Sequence, residues 1–333
     1  MAGLATPEAR IAFSFGATSL HAHLLTKTLV CRFYFQFPLA IHVLQNLATL
    51  FYIETQRAFD KVDLGPYSWE RGQQLVVPSL LLAGSSWLWT SSLEGLAMPY
   101  FESFYSWNSV LVLVIGGFLL KHRGSAHRGV FSVLGLALCT AVAANLHLAV
   151  DGPSLFYGGA AAVCQAAAWI WLEKLTATIS TMEITYITSF NSLLLFFLCD
   201  LVKGDIRESL MFMMSASDIP FYFFMMCFLL TSVRLNFQRI ECLAATGSLT
   251  TAVITNIKTA LQMILSYYLG AQKFYDFWGG HPDSVHWLAL LGTIVFAYIY
   301  VRQRTVQQSA KPYGLAAEMA VFGAFSFAML VFG

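Results

Sequence analysis

The sequence predicts an all-α polytopic membrane protein, and three observations support this fold class. Hydrophobic residues make up 57% of the 333 residues, charged residues only 11%, and the mean hydropathy is +0.64. A soluble domain usually contains about 25% charged residues. The apolar residues run in long blocks, whereas the strands of a β-barrel would give short alternating segments. The chain is therefore expected to cross a membrane several times as helices.

Ten apolar spans are predicted, each long enough or nearly long enough to cross a hydrocarbon core of about 30 Å. Their approximate limits are 12–32, 37–54, 75–93, 98–120, 130–149, 155–173, 183–202, 219–238, 244–270 and 285–302. Residues 1–303 are thus predicted to form a ten-helix transporter domain. Residues 304–333 are predicted to form a C-terminal tail, in which 314–332 is a candidate eleventh span.

Positive charge predicts the orientation of these spans. With the N-terminus in the cytosol, 13 of the 19 Lys and Arg residues lie on the cytosolic side, and four lie on the opposite side. Because cytosolic loops are enriched in Lys and Arg, this orientation is favoured. Ten spans also divide into two groups of five, about 1–152 and 153–303. An odd number per half inverts the second half relative to the first, as in alternating-access carriers built from inverted repeats.

Composition also argues against several function classes. The net charge of +1 gives no reason to expect a nucleic-acid partner. The six cysteines are scattered, without a CxxC motif, and are interpreted as small core residues. Three histidines, His21, His23 and His42, lack a carboxylate or cysteine at a suitable spacing, so no metal site is predicted. We expect no cofactor, and membrane lipids as the surrounding partner.

The ninth span carries the most informative pattern. Lys258 lies close to its middle, where a lysine costs roughly 2.5–3.5 kcal/mol on insertion scales. Polar residues recur there at steps of three or four, which places them on one helix face: Ser248, Thr251, Thr255, Lys258, Gln262 and Ser266. A row of hydroxyls with a cation suggests a pocket or path for an anionic, oxygen-rich solute. The alternative is a lysine paired with a buried carboxylate for structure alone.

Polar side chains in three other spans are further candidates. Lys27 in the first span either faces the same cavity as Lys258 or extends to the membrane interface. Tyr105 in the fourth span, one turn from Glu102, offers a ring and a hydroxyl for a base or sugar. The seventh span groups Ser189, Phe190 and Asn191, whose amide presents both donors and an acceptor to a base edge. Asn191 alternatively bridges helices.

Two remaining polar groups receive other interpretations. His42, Gln45 and Asn46 in the second span are expected to tie helices together. Arg234 and Arg239 are predicted to lie at the cytosolic end of the eighth span, where they either extend to the interface or attract an anionic substrate.

Several stretches, taken in order, resemble the nucleotide-sugar transporter family of the drug/metabolite transporter superfamily, in the branch of UDP-sugar and GDP-mannose carriers. The matching stretches are HLLTKTLV, FQFPLAIHVLQNL, LAMPYFESFYS, Phe190-Asn191 and SLTTAVITNIK. Four residues at three places depart from the family pattern. Thr26 stands where the family usually has Asn, Phe190 where it has Tyr, and Tyr105-Ser106 where many relatives have basic residues.

The resemblance implies ten helices in two inverted halves and an antiporter of the Golgi or ER membrane. Such a carrier exchanges a cytosolic nucleotide sugar for a luminal nucleoside monophosphate. A UDP-sugar such as UDP-N-acetylglucosamine is favoured slightly over GDP-mannose, and a homodimer is left open. The resemblance also implies a substrate-binding site, with residues at matching positions: Lys258, Thr251, Asn191, Phe190 and Lys27.

Three alternatives remain open from the residues. A carrier of triose or pentose phosphates also needs lysines in its cavity. A membrane-embedded transferase with His23 or His42 as base is less favoured, because no carboxylate–histidine pair or acidic metal cluster shares a helix face. The third alternative is a scaffold without transport activity. The expectation is therefore a carrier and not an enzyme.

Overall fold

The computed structural model describes residues 7–65, 67–92, 98–120, 129–143, 152–215, 218–270 and 284–308. Within these ranges the regular structure consists of eleven α-helices and one π-helical turn, with no strand. The helices are α1 (Pro7–Lys27), α2 (Pro38–Ala58), α3 (Trp69–Ser92), α4 (Met98–Leu120), α5 (Val130–Ala143), α6 (Gly152–Leu175), α7 (Thr181–Lys203), α8 (Asp205–Ser215), α9 (Ile219–Thr246), α10 (Ser248–Gly270) and α11 (Ser284–Gln308). The π-helical turn, Thr28–Arg32, continues α1.

Each of the ten predicted spans coincides with one of these helices over most of its described residues, so the all-α prediction is confirmed for the described residues. Four helices there are long and apolar enough to cross a membrane: α6, α7, α9 and Ser284–Gln303 of α11. The chain is thus a multi-pass membrane protein. The structure adds α8, which the sequence analysis treated as a connection. It also extends α11 past the predicted domain boundary at 303, and the candidate span 314–332 lies outside the described residues.

The chain divides into two compact units, and each takes helices from both predicted halves. Unit 1 comprises residues 1–91 and 167–251, and unit 2 comprises residues 92–166 and 252–333. The chain therefore passes from one unit to the other at 91/92 and also within α6 and α10. The division between halves at 152/153 stays a prediction.

In unit 1, α2 packs against α7 and α9, and α1 packs along α9. An aromatic cluster fills the space beside the π-helical turn, where Phe35 and Phe221 are fully buried with ring centroids 5.7 Å apart. Phe212 of α8 joins it, with its ring centroid 5.7 Å from that of Phe35. This contact holds the short amphipathic helix α8 against the rest of the unit.

In unit 2, α5 packs against α4 and α11. The contact with α11 is close at Gly135, where a Cβ atom would lie 2.6 Å from the ring of Phe296. Small residues continue this packing in a cluster of Ala143, Ala260 and Ala289, all buried. Small residues allow helix backbones to approach closely within a membrane, where lipid gives no hydrophobic drive for association.

Candidate functional site

The polar face predicted for α10 is buried over the part that the structure describes. Lys258 is only 2% exposed, and Leu261 on another face is 49% exposed. The other buried members of this face are Ser248, Thr251, Thr255 and Gln262. The side chain of Ser266 lies outside the described residues. The periodicity therefore identified the inward side of the helix, and a buried lysine lies on it.

The first turn of α10 is held by a carboxylate. Glu173 of α6 accepts hydrogen bonds from the backbone N–H of Ser248 (3.0 Å) and from the Ser248 hydroxyl. Negative charge near a helix N-terminus is favourable because the first N–H groups have no partner within the helix. Thr251 follows one turn later, and its hydroxyl donates to the carbonyl of Gly247 (2.9 Å). Thr251 belongs to unit 1, and Thr255 and Lys258 belong to unit 2.

Asn191 and Phe190 on α7 contact the segment before α3. The hydroxyl of Tyr67 donates to Asn191 Oδ1 (3.0 Å), and its ring centroid lies 4.8 Å from that of Phe190. Asn191 Nδ2 donates to the carbonyl of Gly72 (3.3 Å) and to the Ser79 hydroxyl (3.4 Å). Burial raises the pKa of Tyr67, so its hydroxyl keeps its proton and remains a donor. The bridging role of Asn191 is thus present, and a base contact would require these bonds to open.

A polar cavity of about 50 Å³ lies within unit 1. Ser189 lines it, so one predicted site residue is part of its wall. Its other polar lining residues come from four helices: His42, Gln45, Asn46, Ser86, Thr185, Thr188, Ser192, Asn236 and Arg239. Among the described residues that line the cavity, Arg239 carries a positive charge and none is a carboxylate. The cavity has room for about three or four waters, whereas drug-sized ligands occupy pockets of about 300–1,000 Å³. A nucleotide sugar would require it to widen.

The second-span polar group does tie helices together, as predicted. His42 Nε2 is 2.8 Å from Thr90 Oγ1 and 3.0 Å from the carbonyl of Ser86, both on α3. Its ring stacks on Phe196 of α7 with centroids 5.4 Å apart. Gln45 completes the arrangement by donating to the hydroxyl of Ser232 on α9 (3.1 Å). These contacts connect α2 with three neighbours in unit 1.

Two predicted site residues cannot be placed by their side chains. Lys27 is the last residue of α1 and Tyr105 lies within α4, but both side chains are outside the described part.

Arg239 differs from expectation, because α9 continues to Thr246 and places this arginine within the helix. It lines the cavity instead of marking a helix end. The prediction ended the span at 238 because hydropathy falls there, whereas α9 is one continuous helix that extends seven residues beyond Arg239.

Tyr67 is a partner of the seventh span that was not predicted from the sequence. No local signal joins residues that are 124 positions apart. Among the described residues there is also no group of three or more His, Cys, Asp or Glu residues that could hold a metal ion.

The chain is similar to a curated transporter over almost its whole length. It is 24% identical over 321 residues to UDP-galactose/UDP-glucose transporter 7 of Arabidopsis thaliana, covering 92% of this chain and 93% of the relative. It also matches a crystal structure whose description names no function, with a TM-score of 0.61 and 16% identity. That match covers 89% of this chain and 98% of the other and concerns the fold alone. No protein-family model matches the chain.

Proposed function

We propose that this protein is a nucleotide-sugar antiporter that exchanges a cytosolic nucleotide sugar for a luminal nucleoside monophosphate. The observation that carries the proposal is the buried lysine on the polar face of α10. The similarity to a UDP-galactose/UDP-glucose transporter along 92% of the chain supports the same substrate class. That the relative is a transporter agrees with the expectation that this chain is not an enzyme. The similarity to a carrier of UDP-sugars also favours uridine over guanosine as the base.

The proposed role of Lys258 is to offset the charge of the substrate diphosphate. Moving a diphosphate from water into a membrane-embedded cavity is strongly unfavourable without a compensating cation. An ammonium group supplies three donors and a compact charge. Lys27 is proposed to contribute the second charge, and the hydroxyls of Thr251 and Thr255 to donate to phosphate oxygens. For Thr251 this requires its hydroxyl to leave the carbonyl of Gly247.

The remaining site residues are proposed to bind the rest of the substrate. Asn191 and Phe190 would contact the base, the amide through its donors and acceptor and the ring by stacking. Ser189, on the same helix, would contribute a hydroxyl from the polar cavity. Tyr105 would line the sugar end. No bond is made or broken in exchange, so the proposal requires neither a metal ion nor a nucleophile.

The exchange cycle is proposed to follow alternating access, in which substrate and product use one site that opens to either side in turn. The proposed location is the Golgi or ER membrane with the N-terminus in the cytosol, where the cytosolic loops carry most of the positive charge. UDP-galactose, UDP-glucose and UDP-N-acetylglucosamine are the first substrates to compare.

The test is exchange in proteoliposomes. Vesicles loaded with UMP, GMP or CMP are given labelled nucleotide sugars, and uptake is compared for wild type, Lys258→Ala and Lys203→Ala. We expect uptake that depends on internal UMP, loses at least about tenfold in Lys258→Ala because of the lost phosphate contact, and survives in Lys203→Ala. Lys203 is an exposed lysine at the end of α7 and serves as the matched control.

Two results would contradict the proposal. Folded wild type that exchanges no monophosphate for any nucleotide sugar rules out the antiporter. Exchange that is inhibited equally by triose or pentose phosphates, without preference for a nucleotide, identifies an organic-phosphate carrier instead.

A further inference from the structure

Two buried amides in unit 2 have no hydrogen bonds. Gln262 on α10 is 1% exposed and Asn108 on α4 is 0% exposed. Neither the nitrogen nor the oxygen of either amide has a hydrogen-bond partner within the described part of the chain. Buried polar side-chain atoms nearly always have a partner in protein, water or ligand, so two wholly unmatched amides require an explanation.

Both residues lie on a pair of helices, α4 and α10, that is joined by hydrogen bonds from the amide nitrogen of Asn256, although the amide oxygen of Asn256 has no partner within the described part of the chain. Asn256 of α10 donates from Nδ2 to the Ser106 carbonyl (3.0 Å) and to the Ser109 hydroxyl (2.9 Å), both on α4. The amide nitrogen of Asn256 is thus a buried donor on α10 whose hydrogen bonds to α4 join the two helices. The amides of Gln262 and Asn108 are not used in this way.

Gln262 is placed beside the proposed phosphate-binding lysine. It follows Lys258 by four residues on the same face of α10, a rise of about 6 Å along the helix axis. A hexose is attached directly to the diphosphate in a nucleotide sugar. A group about one turn from a phosphate-binding lysine is therefore at a suitable distance for the sugar and not only for the phosphates.

The chemistry of an amide also favours a sugar. Phosphate oxygens accept hydrogen bonds and leave the amide oxygen unmatched, whereas each sugar hydroxyl both donates and accepts. Resting on the proposed nucleotide-sugar transport, we infer that Gln262, together with Asn108, binds hydroxyl groups of the transported sugar. These two amides are then determinants of sugar specificity, separate from the residues that bind base and phosphate.

The test separates sugar binding from phosphate binding by comparing two substrates. KM values for a UDP-hexose and for UMP are measured in Gln262→Met, Asn108→Leu and the lipid-facing control Leu261→Met. We expect KM for the UDP-hexose to rise about tenfold in the first two variants, for the loss of one or two hydrogen bonds, while KM for UMP stays unchanged. The apparent Tm without substrate should stay equal or rise, because an unmatched buried amide has been replaced by an apolar group.

The outcomes distinguish this inference from the proposed function. Active wild type with Gln262→Met and Asn108→Leu behaving like Leu261→Met overturns the sugar contact alone, as does an equal rise of KM for UMP. Wild type without any exchange overturns the proposed function, and the inference with it. Asn256→Leu is the structural comparison: its Tm should fall, since it removes a bonded amide. If one of the two variants does not fold, the other gives the same comparison.

Discussion

Asn191 uses both ends of its amide to hold α3 and the segment that precedes it. Its oxygen accepts from Tyr67, and its nitrogen donates to the Gly72 carbonyl and the Ser79 hydroxyl. A nucleobase edge would need the same oxygen and nitrogen. At the residue scale, base binding by Asn191 therefore competes with the contact to Tyr67, whose ring also covers Phe190.

This competition predicts that Tyr67→Phe binds nucleotide more tightly. The substitution keeps the ring on Phe190 and removes the hydroxyl that donates to Asn191. A net hydrogen bond contributes about 1 kcal/mol, so KM for the nucleotide sugar should fall by up to about fivefold. Tyr52→Phe, at an exposed position of α2, is the matched control and should leave KM unchanged. An unchanged or raised KM in Tyr67→Phe would show that Asn191 does not bind the base at the expense of Tyr67.

Residue positions on one helix face were predictable from sequence, but partners across the fold were not. The steps of three and four between Ser248 and Gln262 identified the buried face of α10, since such periodicity is a local property of one helix. The contact of Tyr67 with Asn191 depends on how α7 and the segment before α3 meet, which periodicity does not encode. The same holds for the polar cavity, whose wall comes from four helices.

Helix ends set where these side chains lie, and the break between α9 and α10 is a single residue. The sequence placed a gap at 239–243 because Arg239 and Glu241 interrupt the apolar run. The helix nevertheless continues, with Gln238 contacting the Ser14 hydroxyl of α1 at 2.6 Å. The chain turns only at Gly247, which has φ +80°. The polar residues Gln238 and Arg239 therefore marked inward contacts within α9 and not its end.

Helix α8 is a helix where the sequence predicted only a connection, whereas the end of α9 is helical where the sequence predicted a gap. Its sequence, DIRESLMFMMS, is too short and too polar to be recognised as a span. The signals for a separate helix were present: Gly204 with φ +72° ends α7, and acidic residues occupy the first turn of α8. Its place in the fold comes from Phe212 in the aromatic cluster, which is a tertiary contact.

The start of α10 gives a prediction at the element scale. Gly247→Ala should be more destabilising than Gly204→Ala, although both glycines have positive φ. Gly247 has φ +80° and ψ 164°, a region that is essentially restricted to glycine, and a Cβ there would lie 2.9 Å from Glu173 Oε1. Gly204 adopts the left-handed helical conformation with nothing within 4 Å of its Cβ position.

The expected costs are about 1 kcal/mol for Gly204→Ala and about 3 kcal/mol for Gly247→Ala, because only the latter also displaces the carboxylate. Apparent Tm values of the two purified variants in the same detergent measure the difference. Equal losses would mean that Glu173 moves without cost and does not fix the start of α10.

At the scale of the whole molecule, two pairs of helices at equivalent positions of the two predicted halves pack together, while α9, the third helix of its half, packs against α1 and α2. Leaving α8 aside, α2 and α7 are the second helices of their halves, and α5 and α11 are the fifth. Each of these pairs is in contact within one unit. A two-fold axis that exchanges the halves allows equivalent helices to pack together where both lie beside the axis, so these two pairs are compatible with inverted repeats, which stay a prediction.

Sequon insertion tests the predicted orientation of the chain and the odd number of crossings between two of its connections. The sequence contains no Asn-x-Ser/Thr site, so any glycan must come from an inserted one. A flexible linker with one sequon is placed either after Lys61, between α2 and α3, or in the connection between α8 and α9. With the N-terminus in the cytosol, only the second connection faces the lumen, where glycan is transferred.

We therefore expect a glycan on the α8–α9 insertion and none after Lys61, measured as an endoglycosidase-sensitive mass shift in microsomes. Replacing the sequon Asn by Gln should abolish the shift and serves as the control. The positive charge on the cytosolic loops is the physical reason for this expectation. The reverse pattern would invert the protein and place Lys61 in the lumen. A glycan at both positions would require an even number of crossings between them, contrary to the five crossings that the ten predicted spans place there.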